Sequence, residues 1–307
     1  MMNILSVDVE DWFQAEAQST AITCADWEHT NLRVWPNVMT LLETFERYGV
    51  QATFFVLGWM AEKLPALVER IASYGHEIAS HGYGHHLAYQ MTPQDYRSDI
   101  ERSLAAINKA ADVQVAGYRA PSFSIGERTP WAWPILADLD LMYDSSIFPI
   151  YHDTYGSPHL PREPFRIELE DGRIIDEIPL TTIQLLGYNF PAAGGGYLRL
   201  FPYWFTDRAI RAANNKGWPA VVYVHPWEID PHQPRTAIPA LSRFRHYTNL
   251  NTTLYKLERL LSEFHFGTIR DYLAESDPAS RPLLSIKELA HRKSLPPSKQ
   301  VRAPGKT

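Results

Sequence analysis

Gly75-His76-Glu77-Ile78-Ala79-Ser80-His81-Gly82-Tyr83-Gly84-His85 reads as a short strand that runs directly into two histidines spaced four residues apart. If the stretch after Ala79 turns helically, positions i and i+4 share a face and both imidazoles can reach one ion. If it is a loop, Gly82 and Gly84 let the backbone fold tightly enough for the same result. The pair alone is weak evidence, because with 12 His in 307 residues the spacing arises by chance. His86 points elsewhere on either geometry and reads as a surface residue or as a support for the pair.

The pattern of a buried strand ending in polar residues recurs on both sides of this stretch. Asn3–Val7 is an apolar run ending in Asp8-Val9-Glu10-Asp11, three carboxylates whose mutual repulsion is costly unless a cation or proton intervenes. Residues 12–35 look irregular. A helix is expected over Pro36–Tyr48 with Gly49 as its stop, a strand over Ala52–Leu57 and a helix over Ala61–Tyr74. Thr92 caps a helix from Pro93 to about Ala111, and Gln114–Tyr118 is a strand ending in Arg119-Ala120-Pro121-Ser122. A helix over Thr129–Leu139 leads to a strand end at Asp144-Ser145. Residues 166–175, with the turn Asp171-Gly172, read as an inserted β-hairpin.

Gly194-Gly195-Gly196 reads as a flexible turn, not a phosphate loop, since no Lys-Ser/Thr follows at the required spacing. Helices over Tyr203–Lys216 and Thr252–Phe264 bracket a strand, Pro219–Val224, that ends in His225-Pro226-Trp227. A last strand or turn with a short helix covers Phe266–Leu273. From Ser276 on, Pro, Ser, Lys and Arg dominate. The expected division is one domain over 1–275 and a basic, mobile tail over 276–307.

Alternating strands and helices argue for an α/β fold on a parallel sheet, open or closed into a barrel. Asp8, His81, Arg119, Asp144 and His225 each follow a predicted strand. In (β/α) barrels that end of the sheet carries the chemistry, whereas core packing has no need of charge there. This co-location turns the histidine pair into a candidate metal site. Two imidazoles and a carboxylate make an open site for a divalent ion, and Zn²⁺ with a bound water suits it. A second carboxylate as general base and a histidine from another strand as general acid would complete the equipment for metal-assisted amide or ester hydrolysis.

Composition removes several alternatives. A net charge of −6 argues against a nucleic-acid partner. The single cysteine, Cys24, excludes a disulfide framework and a thiolate zinc site, and reads as a buried or incidental thiol. No segment is apolar enough for a membrane span, and the N-terminus lacks the basic opening of a signal peptide, so a cytoplasmic location is expected. Oligomeric state is not legible, and a homo-oligomer stays open. The aromatic content of 12% suits a carbohydrate-facing surface, although aromatics usually fill cores.

In these same residues the chain resembles the polysaccharide deacetylases, the NodB-homology or carbohydrate esterase family 4 enzymes. Five motifs match in order over roughly residues 3–275: Val7-Asp8-Val9-Glu10-Asp11, His81 to His85, Arg119-Ala120-Pro121, Asp144-Ser145 and His225. Asp8-Val9-Glu10-Asp11-Trp12 and the segment from Gly194 to Pro226 look most like the deacetylases encoded with bacterial exopolysaccharide and exosortase (PEP-CTERM) systems. The resemblance implies a distorted (β/α) barrel with the inserted hairpin, acting on an N-acetylated saccharide of an exopolysaccharide or its precursor.

It also implies roles. Asp8 is the general base, His225 protonates the leaving amine and Arg119 pairs with Asp8. His81, His85 and one carboxylate hold the metal. The family motif has two adjacent aspartates, but here Val9 follows Asp8. Period-two alternation puts Glu10 on the side of Asp8, and a turn after Val9 would present Asp11 instead. The Ser122 N–H would help bind the oxyanion, and Trp12, Phe13, Tyr197 and Trp227 would stack on sugar rings. Two other readings compete: a small amide or ureide hydrolase like the allantoinase relatives, and a non-catalytic carbohydrate-binding barrel. Acetate release separates the first from both, and Asp8 and His225 are more than mere binding requires.

Overall fold

The computed structural model describes residues 1–152, 155–192 and 194–291. In chain order its first half comprises β1 (Asn3–Val9), α1 (Val34–Tyr48), β2 (Thr53–Val56), α2 (Gly58–Lys63), α3 (Pro65–Ser73), β3 (Glu77–Ser80), α4 (Pro93–Ala110), β4 (Gly117–Tyr118), α5 (Ala132–Asp138) and β5 (Tyr143–Asp144). Then come β6 (Phe165–Glu168), β7 (Ile174–Glu177), β8 (Thr182–Leu185), β9 (Tyr188–Pro191), α6 (Gly195–Leu200), α7 (Tyr203–Asn214), β10 (Val221–Val224) and α8 (Ala240–Tyr247). The chain continues through α9 (Leu250–Glu263), β11 (Phe266–Gly267), α10 (Ile269–Glu275), β12 (Leu283–Ser285) and α11 (Ile286–His291).

The main sheet runs β10-β1-β2-β3-β4-β5-β7-β6-β12, with β11 also on β1. Every neighbouring pair is parallel except β6 and β7, the inserted hairpin. This is the expected α/β architecture, a distorted (β/α) barrel. Alternate residues divide between two cores. Ile4, Phe55, Ala79, Tyr143, Val221 and Tyr223 fill the inside. Leu5, Val7, Phe54, Val222 and Val224 face the helices, meeting Val38, Leu41, Phe45, Leu257 and Leu260. The period of two that makes this division also decides which polar residues at the strand ends turn inward.

The parallel register sets those ends level. Val9, Val56, Ser80, Tyr118 and Asp144 are successive partners across five strands. One step further therefore lie Glu10, His81 and Arg119, while Val7 pairs with Val224 and leaves His225 beside Asp8. The site is thus a consequence of strand register.

Several local expectations change. The helix expected over residues 61–74 is two helices, α2 and α3. Pro65 lacks an N–H and disfavours a helical residue before it, and Leu64 is accordingly extended from helical geometry at φ −133°. The glycine triplet is no flexible turn. Gly194 bridges to Tyr223 of β10 and the triplet opens α6. Hairpin β8–β9 and helix α8 lie where no element was expected. The boundary expected at residue 275 is not where packing ends. β12 pairs with β6, Leu289 is buried against the Trp133 and Phe165 core, and Arg281 lies 3.0 Å from Asp176. Apolar positions 283, 284, 286 and 289, spaced for a strand and then a helix, outweigh the polar composition of this stretch. The rest of the expected tail, 292–307, lies outside the described residues. No helix among the described residues is long and apolar enough to cross a membrane.

Candidate metal centre and active site

Glu10, His81 and His85 converge. Their ligand atoms all lie within 4.8 Å of one another. His81 Nε2 is 3.2 Å and His85 Nε2 3.0 Å from Glu10 Oε1. His81 leaves β3 with its ring inward. His85 is brought back by a tight loop, not a helix, in which Gly82 has φ +74° and His85 itself φ +56°. A non-glycine residue there carries strain of about 1–3 kcal/mol. Asp99 of α4 holds this loop, accepting from the Tyr83 N–H at 2.7 Å and the Gly84 N–H at 3.2 Å. His86 is exposed, as expected.

The donor set suits a cation. His81 Nδ1 lies 2.7 Å from the Arg119 carbonyl, which can only accept, so Nδ1 carries the proton. The other ring nitrogen, Nε2, faces the Glu10 carboxylate. Burial would raise the Glu10 carboxyl, but His85, His225 and His81 outweigh it and hold it well below the usual range. Burial would lower His85, and Glu10 outweighs it, so His85 is raised. Two imidazoles and a carboxylate whose ligand atoms converge within 4.8 Å are a donor set that fits a divalent ion.

Asp11 is not part of this group, which corrects its candidacy as a metal ligand. It accepts from the Trp12 N–H at 2.8 Å, the Arg33 N–H at 2.6 Å and the Val34 N–H at 2.9 Å. These bonds tie β1 to the start of α1, where free helix N–H groups need acceptors. Burial pushes its carboxyl up to about 6 against the pull of those three donors.

Asp8 and Arg119 meet at 2.6 Å, with both side chains buried. Arg119 also donates to Ser6 Oγ at 2.9 Å, the Ser145 carbonyl at 3.0 Å and Ser145 Oγ at 2.9 Å, and lies over the Phe55 ring. It is a built internal support, not a surface ion pair. His225 Nε2 faces the two carboxylates, 3.9 Å from Asp8 Oδ2 and 3.8 Å from Glu10 Oε1. Burial would lower the His225 imidazole, but Glu10, Glu228 and Asp8 raise it to about 9. Asp144, one strand further, stays out of the site. Its carboxyl accepts from Trp133 Nε1 at 3.1 Å and is pushed up to about 6 by burial.

Three of the four expected sugar-stacking aromatics, Trp12, Phe13 and Trp227, are not available. Trp12 is 4% exposed and packs edge-on to Phe13, which is itself buried. Trp227 is enclosed between His225 and His246, with ring centroids 5.2 Å and 4.4 Å away. Large aromatics after strands went to the core, as they commonly do. Tyr197 is half-buried beside Phe148, with its hydroxyl 3.1 Å from that of Tyr155. Ser122 is half-buried in a left-handed conformation, φ 49°, directly after the Arg119 strand end. Cys24 is exposed, which removes the buried thiol and leaves the incidental one of the two readings.

Residues 27–143 match the polysaccharide deacetylase family. The chain contains a polysaccharide deacetylase domain. Residues 145–274 match a second family, described as a domain of unknown function (DUF3473). The deacetylase domain includes His81, His85 and Arg119, while His225 falls in the second match. A peptidoglycan-N-acetylglucosamine deacetylase of Bacillus cereus is 39% identical over 83 residues, 27% of this chain and 28% of that protein. A chitooligosaccharide deacetylase of Sinorhizobium fredii is 33% identical over 90 residues, 26% of this chain and 38% of that protein. The alignments thus span well under half the length of these relatives. A crystal structure from Mycobacterium smegmatis, described as that of a polysaccharide deacetylase, shares the fold with a TM-score of 0.55 at 19% identity, covering 99% of this chain and 95% of that one. Members of the deacetylase family are hydrolases acting on N-acetyl amide bonds.

Sequence reasoning missed Glu228 and Arg199. Glu228 Oε2 lies 3.1 Å from His225 Nδ1, and Glu228 Oε1 accepts from Arg199 Nε at 2.7 Å. Glu228 has the three-residue spacing of a capping box with His225, but histidine is not a cap residue that marks this motif in a sequence. Nothing in the sequence pointed to Arg199.

Proposed function

We propose that this protein is a metal-dependent N-deacetylase that hydrolyses the acetamido group of an N-acetylated sugar in a bacterial exopolysaccharide or its precursor, releasing acetate. The observation that carries this reading is the convergence of three metal-ligand side chains with one carboxylate and one further histidine at the ends of adjacent parallel strands. The names of the relatives support an N-acetylated sugar.

Glu10, His81 and His85 would hold the ion, and Zn²⁺ suits two imidazoles and a carboxylate. Such an ion, when bound, polarises the acetyl carbonyl and lowers the pKa of a water. Asp8 takes the proton from the attacking water, steered by Arg119, whose bonds to Ser6 and Ser145 fix the guanidinium. His225 gives its Nε2 proton to the departing sugar amine, a poor leaving group unless protonated. The Ser122 N–H would face the developing oxyanion, and Tyr197 would contact the sugar.

Elemental analysis of the purified protein combined with acetate release from N-acetylglucosamine oligosaccharides tests the reading. One divalent ion per chain and acetate release are expected, both lost in His81→Ala. Full metal and full activity in His81→Ala would overturn the site assignment. Turnover of small ureides without acetate release would overturn the substrate class.

A further inference from the structure

We infer that Glu228 and Arg199 are positioning residues for His225, so that the region matching only a domain of unknown function is built around the proton donor of the reaction. The inference rests on the reading of His225 as general acid given above.

Glu228 meets donors on both oxygens. Oε2 accepts from the His225 backbone N–H at 3.0 Å and faces Nδ1 at 3.1 Å. Oε1 accepts from Arg199 Nε at 2.7 Å. A carboxylate in this place fixes the proton on Nδ1 and turns Nε2 toward Asp8 and Glu10. Trp227 lies flat against the imidazole and limits its tilt. Glu228 and Arg199 are at most 1% exposed, so solvent cannot take the place of either.

Arg199 is fixed in turn. Its Nη1 donates to the His246 and Thr248 carbonyls at 3.1 and 2.8 Å, and its Nη2 to the Arg245 carbonyl at 2.8 Å. Lys256 Nζ donates to the carbonyls of Leu198, Arg199 and Phe201 at 3.0, 2.9 and 2.8 Å, closing the end of α6. The glycines at the start of α6 explain how the helix comes this near to β10. A Cβ on Gly194 would fall 2.1 Å from the Tyr223 ring, and one on Gly195 2.6 Å from its hydroxyl. A buried ion pair contributes little net stability compared with apolar packing. Its place directly behind His225 points instead to orientation of the imidazole.

The test compares two substrates of the metal-loaded full chain, an N-acetylglucosamine oligosaccharide and 4-nitrophenyl acetate. The phenolate leaves without a proton, so only the amide needs the acid. In Glu228→Gln an amide NH₂ must face either Arg199 Nε–H or the two His225 donors, so the imidazole loses its orientation or its tautomer. Amide hydrolysis is expected to fall roughly 10²-fold, within the worth of a positioned acid, with little loss on the ester. In the His225→Ala background Glu228→Gln should change amide hydrolysis no further. Equal losses on both substrates, or a full additional loss in the double variant, would overturn the inference. If His225→Ala spares the amide, the reading of His225 fails. If His225→Ala is selective and Glu228→Gln is not, only the present inference fails. A second readout needs no variant at Glu228. The unsubstituted protein should show a downfield imidazole proton bound to Nδ1 that is missing in His225→Ala, and its absence would also overturn the inference.

Discussion

Two buried arginine–carboxylate pairs flank the candidate site. Asp8–Arg119 closes at 2.6 Å and Glu228–Arg199 at 2.7 Å, and no side chain of either pair is more than 2% exposed. They differ in what is left over. Arg119 takes Asp8 Oδ1, and Asp8 Oδ2 still faces His225 at 3.9 Å. Both oxygens of Glu228 are occupied by donors. Arg199 and then His225 overcome the effect of burial and hold the Glu228 carboxyl down at about 2. The comparison teaches that burial and pairing alone do not mark a reactive carboxylate. An oxygen left unclaimed and turned into the site does.

The largest expected effect breaks the Asp8 side of the comparison. Asp8→Asn should slow deacetylation roughly 10²–10⁴-fold, the range for a positioned base. It should slow the activated aryl ester as well, because both substrates need the water deprotonated, and bound metal should be retained. Loss of metal in Asp8→Asn, with none in Glu10→Ala, would reverse the roles assigned to the two residues.

A second measurement sharpens the same contrast within β1. Glu10→Ala should abolish metal binding with the fold intact. Asp11→Ala should keep the metal and lower stability by about 1–3 kcal/mol, the usual cost of leaving buried donors unpaired. Metal content and denaturant midpoints of the two variants decide it. Metal loss in Asp11→Ala alone would restore Asp11 as the ligand.

The smallest effect concerns pH. The folded Glu228 carboxyl lies at about 2 against an ordinary 4.5, so its stabilisation is complete above about 4.5 and is lost as pH falls toward 2. The stability gap between the native protein and Glu228→Gln should therefore narrow by about 2 kcal/mol between pH 5 and pH 3. A gap independent of pH over that window would show that Glu228 is not an ionised partner of Arg199.

Much of this arrangement was readable from the chain. The strand–helix alternation, the hairpin at residues 166–175 and the polar residues after each strand followed from periodicity and turn chemistry. So did Asp8, His81, His85, Arg119 and His225, because parallel register places successive strand ends side by side. Trp12 and Trp227 were misread because an aromatic after a strand looks the same whether it meets a ligand or the core. The packed stretch from Leu283 to Leu289 was misread because its apolar residues are few and dispersed among polar ones.

The sequence by itself determined which residues could react, since local apolar periods fix strands and their ends regardless of distant partners. It left Glu10 and Asp11 open as the third ligand. Only in the tertiary structure do their positions part, Glu10 beside the histidines and Asp11 away from them. Asp11 is drawn away by the free N–H groups of Arg33 and Val34, more than twenty residues distant, and Glu10 by imidazoles more than seventy residues away. Arg199 likewise gains its role only through contacts with Glu228 and the carbonyls of residues 245–248. Such choices depend on which hydrogen-bonding groups folding leaves buried and unpaired, and that is a property of the assembled chain.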